Sequence, residues 1–132
     1  MPALGLSLVT FLVRDYDEAI GWFIDCLGFA LVEDTVMGPD KRWVVVRAGG
    51  GQGAGLLLAK ASDKRQRAAI GNQAGGRVGF FLHCPDFDFQ HTKMQAKGVK
   101  FNEAPRREIY GTVAVFEDLY GNSWDLIELR QP

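Results

Sequence analysis

The chain repeats itself. A shift of 71 residues places Val13-Arg14-Asp15-Tyr16-Asp17 on Cys84-Pro85-Asp86-Phe87-Asp88. After a one-residue gap, Leu27-Gly28-Phe29 falls on Lys97-Gly98-Val99. Each copy starts a helix with an aspartate and an aromatic, and each ends it at a glycine. Asp15 with Glu18 three residues on matches a capping box. Ala19, Ile20, Phe23, Cys26 and Leu27 then follow at helical spacing, and Gly28 stands where a C′ glycine would. Before each helix lies an apolar, β-rich run: Leu6–Val13 and Val78–Cys84. After the first helix come ALVEDTVM, RWVVVR and AGLLLA; after the second come VKFNEAPRREIY, GTVAVFED and NSWDLIELR. Both halves read strand-helix-strand-strand-strand. A single βαβββ unit leaves one sheet face open, and two such units can bury theirs together.

This pattern predicts an α+β fold over residues 1–132 as a single domain. One module spans 4–60, a polar linker 61–76 and a second module 77–130. Part of KASDKRQRAAIGNQAGG suits a short helix, and its glycines suit a flexible join. The GGGQG run lacks the Lys-Ser/Thr and following helix of a phosphate loop, so it reads as a hairpin turn.

Composition excludes several classes. The net charge is −1, so the basic excess usual in nucleic-acid binders is missing. No apolar run nears the roughly 20 residues that span a bilayer, and MPALGLSLVTFLVRD has no basic leader. The expectation is a cytoplasmic protein with no nucleic-acid or membrane partner. Two cysteines, Cys26 and Cys84, are too few for a disulfide framework and read as buried free thiols.

Three stretches carry a family resemblance: VTFLVRDYDEAIGWFIDCLGF, KGVKF and YGTVAVFEDLYGNSWDLIEL. Asp15, Ala19, Trp22-Phe23 and Leu27-Gly28-Phe29 match one family pattern. Asp118-Leu119-Tyr120-Gly121-Asn122, followed by an apolar strand with Asp125, match another. In this order and spacing they resemble the vicinal oxygen chelate superfamily, which includes glyoxalase I, bleomycin- and fosfomycin-resistance proteins and extradiol dioxygenases. The resemblance implies two paired βαβββ modules (the glyoxalase/bleomycin resistance/dioxygenase fold) with curled sheets around a cavity. It also implies a homodimer.

Metal enzymes of that family hold a divalent ion with four His, Gln or Glu side chains. Here the four places fall on Leu8, Leu57, Gly79 and Asp125. One oxygen donor cannot hold an ion against water. The resemblance therefore implies no metal and no cofactor; a divalent metal is the alternative. If the ligand places point inward, Leu8, Thr10 and Leu12, then Gly79, Phe81 and His83, then Ser123, Asp125 and Ile127 line the cavity by strand alternation. Phe11, Val13, Phe80, Leu82, Trp124 and Leu126 then pack under the helices. Gly79 and Ser123 leave room where an ion would sit.

Two functions stay open, beside a third reading in which the site is vestigial and the domain binds a partner. One is sequestration of a small organic molecule, in the manner of bleomycin resistance. Thr10, Trp43, Phe81, Tyr110 and Ser123 would be ligand contacts, with Asp125 or His83 orienting the ligand. The other is a glyoxalase-like lyase, isomerase or dioxygenase relative with Asp125 or His83 as acid or base. Asp125 also has a structural reading, as a paired buried carboxylate, and His83 one as a hydrogen-bonded structural histidine. Trp22 and Trp43 read most simply as core, His91 as solvated, and Arg106 and Arg107 as exposed loop charge.

Overall fold

The computed structural model describes residues 3–50 and 53–131. The middle of the GGGQG run, residues 51–52, lies outside the described residues. The chain divides into two compact units, residues 1–70 and 71–132.

The first unit runs β1 (Leu8–Val13), α1 (Tyr16–Leu27), β2 (Ala30–Gly38), β3 (Lys41–Arg47), β4 (Gly55–Lys60) and the short α2 (Lys64–Ala69). Its sheet has the order β1-β4-β3-β2, with β1 parallel to β4 and the other pairs antiparallel. The Asp15 carboxylate accepts the Glu18 amide at 2.8 Å, satisfying one of the helix's unpaired donors. Gly28 takes φ 69°, a conformation that favours glycine, and the Phe29 amide reaches back to the Phe23 carbonyl at 3.0 Å. Tyr16, Ala19, Phe23 and Leu27 form the buried face of α1. Beneath it Phe11, Val13, Val44, Val46 and Leu58 are fully buried.

The second unit runs β5 (Val78–His83), α3 (Phe87–Ala96), β6 (Lys100–Phe101), β7 (Arg106–Glu108), β8 (Gly111–Glu117) and β9 (Ser123–Leu129). Its sheet has the order β5-β9-β8-β6, with β7 also pairing β8. Asp86 caps α3 through the Phe89 amide at 3.1 Å. Phe87 and Met94 are the buried residues of α3. Trp124, Leu126 and Phe116 are buried on β9 and β8, and the Trp124 ring stacks on Phe80 at 4.6 Å.

The second expected strand of this unit departs from expectation. VKFNEAPRREIY is not one strand but two short pieces, β6 and β7, with residues 102–105 bulging out between them. Pro105 has no N–H to give to a ladder. Where the ladder is interrupted, the Glu103 carboxylate stands in for a backbone carbonyl and accepts the Val115 amide at 2.9 Å.

Three smaller expectations are also corrected. Cys26 and Cys84 are free but half-buried rather than buried. His91 is not solvated: its ring lies against Phe87 at 5.2 Å and Phe101 at 4.4 Å, and its Nε2 is buried with no hydrogen-bond partner. The apolar rings beside it draw that face of α3 onto the sheet. Arg106 and Arg107 are exposed as expected, but they stand in strand β7 rather than in a loop, and Glu103, Glu108 and Thr112 accept hydrogen bonds from their guanidinium groups.

Candidate functional site

Register decides which side chains share a face. In β9, Asp125 stands between Phe81 of β5 and Val115 of β8. Trp124 and Leu126, its neighbours along the strand, point into the buried side; alternation sends Asp125 to the other. On that open side Phe81 is 60% exposed, an unusual place for a phenyl ring. His83, next on the same side of β5, is exposed and stands across from Ile127. Ser123 is half-buried across from Glu117. Tyr110, in the turn between β7 and β8, is 45% exposed.

Asp125 is half-buried, and its Oδ1 is buried with no hydrogen-bond partner. The structural reading, a carboxylate paired with arginine or backbone amides, does not describe that oxygen. Burial pushes the carboxyl above its usual range; the nearby Arg106 charge opposes this and Glu103 adds to it. Arg106 is already engaged. Its Nε donates to Glu103 at 2.8 Å and its Nη1 to Glu108 at 2.9 Å. The Arg106 hydrogen bond in turn holds the Glu103 carboxyl below its usual range. The result is an acceptor oxygen with an unmet need, beside an exposed aromatic ring. It suits a ligand that brings an N–H or O–H donor.

Glu103 and Arg106 were not visible as neighbours of Asp125 in the sequence. They arrive through the bulge between β6 and β7, and the one hint was Pro105 in the middle of an apparent strand.

The first sheet also has an open face. Thr10 stands beside Leu57, which stands beside Val45. By the same registers Leu12, Ala59 and Trp43 form the next row. Trp43 is 37% exposed and belongs to this face rather than to the core. An indole there extends apolar surface across the outer part of the sheet.

The family's four metal places can now be tested for fit. Leu8 and Leu57 offer hydrocarbon. Gly79 does not leave the room expected of it: a Cβ built there would lie 2.9 Å from the Ala74 Cβ, so the loop before β5 already fills that space. Only Asp125 has a donor oxygen. These side chains do not fit a four-ligand divalent centre. Among the described residues, no group of three or more His, Cys, Asp or Glu side chains comes together as a metal site. Among the same residues, no helix is long and apolar enough to cross a membrane.

The geometry has close counterparts. An uncharacterized protein of Shewanella frigidimarina (strain NCIMB 400) is 53% identical over 127 residues, covering 94% of each chain. The crystal structure of UcmS2 superposes with a TM-score of 0.81 at 28% identity, covering 96% of this chain and 98% of the other. TnmS3, an antibiotic binding protein from Streptomyces sp. CB03234, has a TM-score of 0.77 at 24% identity, with 98% and 99% of the two chains covered; at that identity the likeness is one of fold. The model of one family matches residues 5–126, nearly the full length, and the chain belongs to it: the Glyoxalase/Bleomycin resistance protein/Dioxygenase superfamily.

Proposed function

We propose that this protein is a metal-free member of its superfamily that binds a small, partly aromatic organic molecule against its open sheet faces and sequesters it. The observation that carries this reading is the pairing of an exposed Phe81 with the unpartnered buried Oδ1 of Asp125 in one register row. A flat ligand stacks on the ring and donates a hydrogen bond to the acid. Tyr110 and Ser123 border the same face. Thr10 and Trp43 offer contacts on the first sheet's own face. The use of this fold by an antibiotic binding protein from Streptomyces supports the class of function. Hydrocarbon at Leu8 and Leu57 and the filled space at Gly79 support the absence of a metal.

The protein works in this reading as a homodimer in the cytoplasm, where Cys26 and Cys84 stay reduced. Support for the dimer comes from β2, the edge strand of the first sheet. Val32, Val36 and Met37 are 51%, 75% and 58% exposed along it, and such an edge calls for a cover.

One observation favours an enzyme instead. A carboxyl whose burial favours the protonated form is a candidate acid or base, and His83 lies two residues further along the strand from Phe81. The proton would pass between Asp125 and a carbon or oxygen acid stacked on Phe81.

Metal analysis after purification, glyoxalase assays with added nickel or zinc, and a thermal-shift screen of aromatic compounds separate the two. Sequestration predicts no stoichiometric metal, no turnover and a raised Tm with some aromatic ligands, because a binder of the folded state stabilises it. Stoichiometric metal with turnover would defeat the proposal. Turnover without metal, lost in Asp125→Asn, would favour the enzyme.

A further inference from the structure

The open face of the first sheet holds a cation, Arg47, that makes no ion pair among the described residues. β3 and β4 pair Val44 with Leu58, Val45 with Leu57 and Val46 with Leu56, so Arg47 comes next, across from Gly55. The Arg47 Nη2 lies 3.1 Å from where a Gly55 Cβ would be, and a Val45 Cγ lies 3.2 Å from the same point. Both side chains therefore lean over the bare backbone of Gly55 on one face. β1 places Leu8 on the far side of Gly55. Glycine at this position is what lets the guanidinium lie down on the sheet.

Arg47 is half-buried, and its Nε is buried with no hydrogen-bond partner. Among the described residues no carboxylate forms an ion pair with it. Glu33, on the neighbouring row across from Val45, accepts the Thr35 hydroxyl instead. An arginine remains charged at every ordinary pH, and leaving its buried Nε–H without an acceptor is costly. Arg42, in the same strand but on the helix side, shows the usual solution. It pairs with Asp34 at 2.7 Å and Asp17 at 3.0 Å.

We infer that Arg47, laid over Gly55, recognises the anionic group of a small organic acid: a carboxylate or sulfonate gripped by the guanidinium fork. The surface beside it fixes the rest of the ligand. From Arg47, β3 runs back through Val45 to Trp43, and Leu57 and Thr10 flank that path. Four residues of strand span about 13 Å at roughly 3.3 Å per residue. The ligand is thus an amphipathic acid, with its charge at Arg47 and a flat apolar body of about two rings over the half-buried Leu57, reaching the exposed Trp43 indole. This rests on the reading that the open faces bind small organic molecules, and it names the chemical class for one of them.

Two fluorescent probes of matched shape test it: anionic anilinonaphthalene sulfonate and neutral phenylnaphthylamine. Their affinities are measured for the wild-type chain and for Arg47→Met, Arg47→Lys, Gly55→Ala and Arg65→Met, after melting curves establish that each is folded. Arg65, exposed on α2, is the control for loss of one positive charge. Removing a charge-assisted hydrogen bond should weaken the sulfonate probe about tenfold or more in Arg47→Met, while the neutral probe changes little. Arg47→Lys should retain part of the affinity. Gly55→Ala should lose several-fold, because its methyl displaces the guanidinium. Sulfonate binding that is equal in Arg47→Met and wild type, or lowered as much by Arg65→Met, overturns the anion site and leaves the small-molecule reading standing. Failure of both probes to bind the wild-type protein overturns the two together.

Discussion

The two units share an order of elements but close their last hairpins by different means. In the second unit Asp118, only 6% exposed, organises the turn between β8 and β9. Its Oδ1 accepts the amides of Tyr120 at 2.9 Å and Asn122 at 3.1 Å. Its Oδ2 accepts the Asn122 side-chain amide at 3.0 Å and the Trp124 indole N–H at 2.9 Å. Asn122 passes the connection on to the Gln73 amide at 3.1 Å. The corresponding turn of the first unit, between β3 and β4, is rich in glycine and carries no such acid. One hairpin is fixed by a buried polar network; the sequence of the other turn holds no carboxylate from which to build one. The open faces differ in the same spirit. The second sheet presents an acid with an unmet acceptor; the first presents a cation with unmet donors. A repeat can keep its backbone plan while its two copies acquire opposite chemistry.

Removing the Asp118 carboxylate should break this comparison most sharply. Asp118→Ala leaves buried donors at Tyr120, Asn122 and Trp124 without acceptors. It should cost about 3–5 kcal/mol in equilibrium unfolding. Hydrogen exchange should show the loss concentrated in β8 and β9, with β3 and β4 protected as before. Equal loss in both units would mean that the network does not belong to one hairpin.

The helix caps should behave alike in the two units. Asp15→Ala and Asp86→Ala each delete one side-chain acceptor at a helix start. Each should cost about 1 kcal/mol by denaturant titration. A difference between them much larger than that would show the caps are not equivalent after all.

The Asp125 carboxyl gives a smaller effect with a definite sign. Its folded-state pKa is raised, so the folded state binds a proton more tightly than the unfolded one. Stability should therefore fall as pH rises from the ordinary carboxylate range through the raised value, and level off above it. Asp125→Asn removes that dependence. The variant should be more stable than wild type at neutral pH by less than about 1 kcal/mol, and the gap should close in acid. Melting curves of both proteins between acid and neutral pH measure it. The smallest expected effect lies in the first unit's turn. A Cβ at Gly49 meets nothing closer than the Gly28 carbonyl at 3.5 Å. Gly49→Ala should change stability by no more than roughly 0.5 kcal/mol.

Cys84 illustrates how far burial alone can shift chemistry. Burial, with the Glu128 charge adding to it, pushes its thiol up to about 11. Its neighbour His83 lies on the opposite side of the strand, so no imidazole offsets the effect.

Much of this protein was legible residue by residue. Capping aspartates, helix-ending glycines and alternating apolar strands are local signals, because a helix end or a strand face is decided within a few residues. They located both helices of the repeat, and they placed Phe11, Val13, Trp124 and Leu126 on the buried side. The alternation that put Asp125, Phe81 and His83 on one face is equally local. Tertiary structure alone decided what stands next to them. Glu103 lands on Val115, the cross-strand neighbour of Asp125, because a strand breaks; Ala74 fills the space over Gly79 because a loop folds back; and Arg47 lies over Gly55 because two strands bring them into register. None of these placements follows from a local pattern such as a cap or an alternation. Their existence depends on strand pairing and loop paths that no short stretch of sequence encodes.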